Sequence, residues 1–149
     1  MKLKIVNKST NALPEYKTPD SSGMDLRAYL PEGSITLAPM ERKIISTGLY
    51  MEIEQGYEGQ VRPRSGCAVK QGLTVINAPG TIDADYRGEV GVPLINLSTE
   101  PQTIENGDRV AQIVFAPYAK VEEIIEVSDV SEMTDTERGA GGFGHSGKK

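Results

Sequence analysis

The chain is short of the residues that disulfide-rich proteins and cysteine-ligated metal proteins need. Its 149 residues include one cysteine, Cys67, and one histidine, His145. A single cysteine excludes an intrachain disulfide and a cysteine-rich metal site, and it fits a reducing compartment. Cys67 is expected to be a small buried side chain rather than a nucleophile. His145 has no Ser-His-Asp arrangement near it, so it is not expected to be a catalytic base.

Aromatic residues are also few, with no tryptophan, two phenylalanines and six tyrosines. The core must therefore consist mainly of valine, isoleucine and leucine, which favours strands. Hydrophobic residues make up 38% of the chain and charged residues 25%, which is typical of a globular protein. The length suits a single domain.

The sequence lacks both a long apolar run and an excess of basic residues. No stretch approaches the ~20 consecutive apolar residues of a membrane helix, and "MKLKIVNKST" lacks the apolar core of a signal peptide. The net charge of -5 argues against a broad nucleic-acid or anionic-membrane surface. It leaves room for a local anion site built from a few arginines. We expect a soluble intracellular, cytoplasmic protein that binds neither nucleic acid nor membranes.

Many short alternating segments make up most of the sequence. "KLKIV" and "MDLRAYL" alternate in polarity, and turn residues interrupt the pattern about every eight to twelve residues. We predict an all-β fold, a jelly-roll-like β-barrel or sandwich, with at most one short helix at "CAVKQG", ended by Gly72. We expect a β domain over residues 1–136 and a mobile, glycine-rich C-terminal lid over residues 137–149.

Two later segments carry more specific predictions. "LTVINAPGTIDADYRGEVGVPLINLS" is predicted to form a strand, a turn and a returning strand. If the turn centres near Tyr86, Gly91 lies opposite Thr81 across this hairpin. "KVEEIIEVS" is predicted to be a last strand.

"RPRSG" follows a predicted strand and offers the parts of a phosphate site. Arg64 supplies planar, charge-assisted donors, Ser65 a hydroxyl group and Gly66 an unobstructed backbone N–H. A polar turn is the alternative. In "GDRVAQ", Gln112 could contact a ligand, whereas Asp108 and Arg109 are expected to form a structural ion pair.

"NAPGTIDADYRGEV" places Asp83 and Asp85 two residues apart. In a strand both carboxylates would share a face, where they could hold Mg²⁺ or activate water. An acidic turn is the alternative here, as it is for Asp25 in "SGMDL". Gly80 and Gly91 would let a ligand approach the backbone closely.

The tail "TERGAGGFGHSGKK" sets one of the two phenylalanines, Phe143, among glycines. A lid that closes over a flat ligand would use the glycines for mobility, Phe143 for stacking and Arg138 for charge. A disordered tail and an arginine-glycine segment that binds RNA are the alternatives.

Five stretches together resemble the trimeric dUTP pyrophosphatase (dUTPase) family: "SGMDLRA", "RPRSGCA", "NAPGTIDADYRGEV", "GDRVAQ" and "RGAGGFGHSG". They follow the family's order and span residues 22–147. The resemblance implies a β jelly-roll assembled as a homotrimer, with sites shared between subunits and closed by a neighbour's tail. It implies Mg²⁺-dependent hydrolysis of dUTP to dUMP and pyrophosphate.

The resemblance also implies roles for single residues. Asp83 corresponds to the carboxylate that orients and deprotonates the water that attacks the α-phosphorus, and Asp25 to the residue that holds Mg²⁺ through water. Tyr86 corresponds to the ring under the deoxyribose, and Phe143 to the ring that stacks on uracil. The implied phosphate contacts are Arg64, Ser65, Gly66, Gln112, Arg138, Gly144 and Ser146. The implied contacts to the uracil edge are Asn77, Gly80, Thr81, Ile82 and Gly91.

One part of the tail departs from the family pattern. His145 and Ser146 stand where the family usually has serine and threonine, which puts triphosphate affinity in question. Two other functions stay open: a dCTP deaminase-like enzyme of the same fold and a non-catalytic nucleotide-binding regulatory module. "IDADYRG" favours the pyrophosphatase over the deaminase.

Overall fold

The structure is a computed structural model that describes residues 1–142. It divides the chain into two compact units, Met1–Ala119 and a second unit that begins at Lys120. The first unit holds every strand of the described residues. The proposed division at residue 136 stays a prediction.

Eleven strands and one α-helix follow one another in the first unit. The strands are β1 Leu3–Asn7, β2 Gly23–Arg27, β3 Ser34–Leu37, β4 Arg42–Ile45, β5 Leu49–Ile53, β6 Tyr57–Arg62, β7 Leu73–Val75, β8 Gly80–Ile82, β9 Val92–Asn96, β10 Gln102–Glu105 and β11 Arg109–Pro117, and helix α1 is Ser65–Gln71. The predicted all-β class with one short helix is confirmed.

The strands form four antiparallel sheets. Two sheets are pairs, β1 with β5 and β3 with β10. A four-stranded sheet has the order β2-β11-β6-β8, and a three-stranded sheet has the order β4-β9-β7. Strand β8 is therefore at one edge of the larger sheet, while β11 and β6 lie at its centre.

Alternation along the strands builds the core. In β2, Met24 and Leu26 are buried while Asp25 between them is only half-buried, because successive side chains point to opposite faces. Leu26, Ile45 and Ile113 have no exposed surface. The buried set is mainly valine, isoleucine and leucine, as the scarcity of aromatic residues predicts.

The segment from Leu73 to Asn96 follows the prediction only in part. Strand β9 returns on β7, with Thr74 opposite Ile95. Strand β8 instead leaves for the other sheet, where Thr81 lies opposite Gln60 of β6. The prediction that Gly91 lies opposite Thr81 across a hairpin is therefore wrong, because the two residues belong to segments of different sheets.

The second unit contains one short regular element within the described residues. Val130–Glu132 forms a turn of 3-10 helix, capped by Asp129, which accepts a hydrogen bond from the Ser131 N–H at 2.8 Å. The Ser131 hydroxyl and N–H groups also lower the pKa of the Asp129 carboxyl. The strand predicted for "KVEEIIEVS" is absent, and that prediction is wrong.

Within residues 1–142, no helix combines the length and the apolar character that crossing a membrane would require.

Candidate functional site

Asp25 lies at the centre of a charged cluster. Its Oδ1 accepts a hydrogen bond from Arg64 Nε at 2.7 Å, and its Oδ2 accepts one from an Arg109 guanidinium nitrogen at 3.1 Å. Strand β2 turns Asp25 away from the core, toward the residues that precede α1 and begin β11. Two guanidinium groups share one carboxylate, so the cluster keeps an excess of positive charge.

Arg109 is a functional candidate whose partner the sequence predicted wrongly. Asp108 is not that partner, because its carboxylate accepts from the Glu105 backbone N–H at 2.9 Å and closes the turn before β11. Arg109 reaches Asp25 instead, 84 positions away in the sequence. Its backbone carbonyl also accepts from Arg64, at 3.1 Å. Adjacent opposite charges suggested the local pair, and no sequence signal indicated the distant one.

Gln112 of β11 belongs to the same face of the sheet. Strand register places it opposite Asp25 on one side and Arg62 on the other. Its side-chain amide donates to the carbonyl of Pro63 at 2.9 Å. A Cβ atom at Gly23 would lie 2.5 Å from Gln112 Oε1, so the missing side chain leaves room for the glutamine. Gln112 therefore supports the loop that leads into α1.

The motif "RPRSG" forms the start of α1. Arg64 is the N-cap residue, and Ser65 and Gly66 begin the first turn, both exposed. N–H groups in the first turn of a helix have no partner within the helix, so they are available to an anion. A Cβ atom at Gly66 would contact none of the described residues within 4 Å. Space around Gly66 is therefore open to a ligand.

Asn77 and β8 form a second group of predicted site residues. Gly80 is buried opposite Val61, and a Cβ atom there would lie 3.1 Å from Asn77 Nδ2. Thr81 is exposed, and Ile82 packs against the core. A groove of about 480 Å³ lies beside Gln112 and is lined by Arg62, Pro63, Ala78, Pro79 and Gln112.

Asp83 follows β8 directly and is exposed. Its carbonyl accepts from the Tyr86 N–H at 3.1 Å, which closes a turn. Asp83 and Asp85 therefore lie in a turn, so strand alternation does not place their carboxylates on one face. The alternative of an acidic turn therefore describes the backbone here correctly. The turn leaves the Asp83 carboxylate accessible to water.

Tyr86 and Gly91 occupy the return from this turn. The Tyr86 hydroxyl group donates to the carbonyl of Glu89 at 3.0 Å, and its side chain is 44% exposed. A Cβ atom at Gly91 would lie 2.7 Å from Ile44 Cγ2. Packing against Ile44 within this chain therefore explains why position 91 has no side chain.

Arg138 lies in the second unit, where its Nε donates to the carbonyl of Gly141 at 2.7 Å. The other predicted tail contacts, Phe143, Gly144 and Ser146, lie outside the described residues. Their roles stay predictions.

Comparison with known proteins agrees with the sequence motifs. Residues 9–147 match the dUTPase family model. The chain is 54% identical over 147 residues to a deoxyuridine 5'-triphosphate nucleotidohydrolase of Finegoldia magna, with 99% of each chain covered. It is 55% identical over 146 residues to the protein of the same name from Cytophaga hutchinsonii, and the alignment covers 98% of this chain and 92% of that protein.

The fold of this chain is also similar to that of a solved structure. It is a mutant of the dUTPase of Staphylococcus bacteriophage 80alpha with dUpNHpp, at a TM-score of 0.85 and 26% identity, and it covers 98% of both chains. The family match extends over nearly the whole sequence and includes every motif that builds the two groups of site residues. This chain belongs to the dUTPase family.

Proposed function

We propose that the protein is a dUTP diphosphatase, which hydrolyses dUTP to dUMP and pyrophosphate. The observation that carries the proposal is the Asp25–Arg64–Arg109 cluster beside the first turn of α1. It gathers positive charge and free backbone donors where a triphosphate needs them. The names of the bacterial relatives support the same substrate.

The phosphate end of the substrate is assigned to residues around α1. Arg64 makes three hydrogen bonds to protein atoms and Arg109 makes one, whereas a guanidinium group has five donors. Ser65 and Gly66 add a hydroxyl group and backbone N–H groups, and Gln112 adds a side-chain amide. Charge-assisted hydrogen bonds of this kind bind phosphate oxygens and hold the substrate for in-line attack.

Asp25 fits Mg²⁺ held through water better than Mg²⁺ held directly. Both of its oxygens already accept from arginine, and each oxygen keeps capacity for one more donor, such as a water molecule. Within residues 1–142, no three acidic, histidine or cysteine side chains form a metal cage. Mg²⁺ in nucleotide sites is commonly held by one or two carboxylates, waters and the substrate phosphates. When bound, it would offset the charge of the phosphates and of the leaving pyrophosphate.

Asp83 is proposed as the general base. Its carboxylate takes a proton from a water molecule whose oxygen forms the new bond to the α-phosphorus. The bond between that phosphorus and the oxygen bridging to the β-phosphorus breaks, and pyrophosphate leaves with the bonding electrons. The exposed position of Asp83 at the end of β8 supports this role, because water reaches the carboxylate directly.

The uracil edge is assigned to Asn77, the backbone of β8 and Gly91. Strand β8 is at the edge of its sheet, so only one of its sides is paired within the described residues. The other side offers backbone donors and acceptors in a fixed pattern. Uracil presents N3–H where cytosine presents an acceptor, and an unpaired buried group costs about 1–3 kcal/mol, so a wrong base is rejected. Tyr86 is assigned to the deoxyribose.

We further propose a cytoplasmic homotrimer in which each site combines residues of several chains. Arg138, Gly144 and Ser146 of one tail would contact the γ-phosphate in a neighbour's site, and Phe143 would stack on the uracil ring. The family match through residue 147 supports this proposal, because it includes the whole tail motif.

Pyrophosphate release from dUTP, dCTP, dTTP and UTP, with and without Mg²⁺, tests the function. We expect Mg²⁺-dependent release from dUTP and little from the other three nucleotides. Ammonia release from dCTP would support the deaminase alternative instead. Binding of dUTP without pyrophosphate release would support the regulatory module and contradict the enzyme.

A further inference from the structure

Glu89 is part of the motif "NAPGTIDADYRGEV" but has no role in the proposed reaction. Its Oε1 accepts hydrogen bonds from the backbone N–H groups of Thr47, at 3.0 Å, and Gly48, at 2.7 Å, and from the Ser46 hydroxyl group. Three donors thus converge on one carboxylate oxygen. Hydrogen bonds to an ionised acceptor are about twice as strong as neutral ones, so the turn between β4 and β5 holds this side chain firmly.

The backbone around Glu89 is attached to the same part of the fold. Glu89 forms an isolated antiparallel bridge with Tyr50 of β5. The Val90 N–H donates to the carbonyl of Leu49 at 2.8 Å, and the hydroxyl of Thr47 donates to the carbonyl of Val90 at 2.6 Å. Side chain and backbone therefore fix the end of the segment 83–90 against one turn.

Tyr86 depends on this attachment. Its hydroxyl group donates to the Glu89 carbonyl at 3.0 Å, and its ring lies so close to Gly88 that a Cβ atom there would overlap the ring. The side chain is nevertheless 44% exposed, so part of the ring is open to a ligand. The position of the ring thus depends on the Glu89 backbone, which the three hydrogen bonds of the Glu89 carboxylate help to hold.

We infer that Glu89 is a positioning residue for sugar specificity, which holds the Tyr86 ring where it excludes a 2′-hydroxyl group. The inference rests on the proposed function, in which Tyr86 packs under the deoxyribose. A ring that shifts makes room for ribose, so loss of the carboxylate weakens discrimination against UTP. Asp83 shares a turn with Tyr86, but it directly follows β8, whose pairing with β6 does not involve Glu89. Turnover of dUTP should therefore change less than selection between sugars.

Steady-state kinetics on dUTP and UTP measure the effect. We expect Glu89→Ala to lower the ratio of kcat/KM for dUTP to kcat/KM for UTP about tenfold, mainly through faster use of UTP. Glu89→Gln keeps an oxygen acceptor for the turn and should restore the ratio to within about threefold of the parent. Glu52→Ala is the matched control, because Glu52 is an exposed carboxylate of β5 that pairs only with Lys4 among the described residues. It should leave the ratio unchanged.

A parental ratio in folded Glu89→Ala would overturn the inference. If that variant does not fold, Glu89→Asp replaces it: the side chain is one methylene shorter and reaches the turn only by moving the backbone. A ratio lowered about threefold would then support the inference, and a parental ratio would overturn it.

Hydrogen exchange separates this inference from the proposed function. In the ligand-free protein, the amides of residues 84–88 should exchange faster in Glu89→Ala, or in Glu89→Asp if that variant replaces it, than in Glu52→Ala. Equal rates would overturn the positioning role. A parent protein that releases no pyrophosphate from dUTP would contradict the proposed function instead, and the exchange rates would still decide whether Glu89 positions the segment.

Discussion

Asp83 offers the sharpest test at the scale of a single side chain. Asparagine has nearly the same shape and the position is exposed, so Asp83→Asn should fold normally and bind dUTP with parental affinity. An amide takes no proton from water, and loss of a general base typically lowers turnover about 10²- to 10⁴-fold. We expect kcat to fall by that factor or more. Titration calorimetry with dUTP and pyrophosphate release check the two parts.

Asp85 provides the control for that substitution. It is a second exposed carboxylate in the same turn, so Asp85→Asn changes the local charge equally. It should keep kcat within about threefold of the parent, since it lies outside the proposed machinery. Equal losses in the two variants, or parental turnover in Asp83→Asn, would remove Asp83 as the base.

At the residue scale, a sequence shows which charged side chains are present but not which distant residues they contact. Asp25 and Arg64 were both predicted as site residues, and the structure brings them into direct contact. The sequence predicts that Arg109 pairs with its neighbour Asp108, because charge pairing is visible in a sequence only between nearby positions. The sequence indicates no role for Glu89, since two of its three partners are backbone N–H groups, which nearly every residue offers.

At the scale of elements, the stability and position of helix α1 depend on the residue that ends it, Gly72. Gly72 closes α1 in the left-handed region, at φ 66°, and a Cβ atom there would lie 2.8 Å from the backbone nitrogen of Ser98. Gly72→Ala should therefore suffer both backbone strain and a clash with rigid backbone. We expect a loss of roughly 1–3 kcal/mol in the free energy of unfolding. We also expect a higher KM for dUTP, because the first turn of α1, which is proposed to bind the phosphates, would shift. Urea denaturation and kinetics measure these effects.

Gly56→Ala is the matched control for the helix end. Gly56 also has a left-handed backbone, at φ 89°, but a Cβ atom there meets none of the described residues within 4 Å. It carries the strain without the clash, and it lies outside the proposed site. The control should therefore lose less stability than Gly72→Ala and keep the parental KM. Identical effects in the two variants would show that the contact with Ser98 does not matter.

Short strands explain where the predicted elements went wrong. β7 and β9 pair as the strand and returning strand that the sequence predicted. β8 has three residues and pairs with β6, and so few residues carry too little pattern to fix a partner or a register. "KVEEIIEVS" is rich in the β-branched residues that favour a strand, but no strand forms there within the described chain.

At the scale of the whole molecule, the proposal assigns one site to several chains. The residues proposed to bind the phosphates around α1 and those proposed to read the base belong to the first unit, whereas Arg138 belongs to the second. Composition and alternation predicted the fold class because they act over the entire chain. Assembly depends on surfaces between chains, and a single sequence gives no pattern for those beyond the family resemblance.

Complementation between two inactive chains tests the shared site. One chain carries Asp83→Asn, and the other lacks residues 138–149; each alone should form an inactive homotrimer. In co-expressed mixed trimers, a site that takes Asp83 from the truncated chain and its tail from the other chain is complete. Random assembly of equal amounts makes about a quarter of the sites complete, so pyrophosphate release should recover to about that fraction of the parental rate.

The control replaces the truncated chain with one that carries both changes, which leaves every site incomplete. Recovery no greater than in this control would mean that Asp83 and the tail act from the same chain, and full activity of the truncated homotrimer would mean that the tail is not a lid.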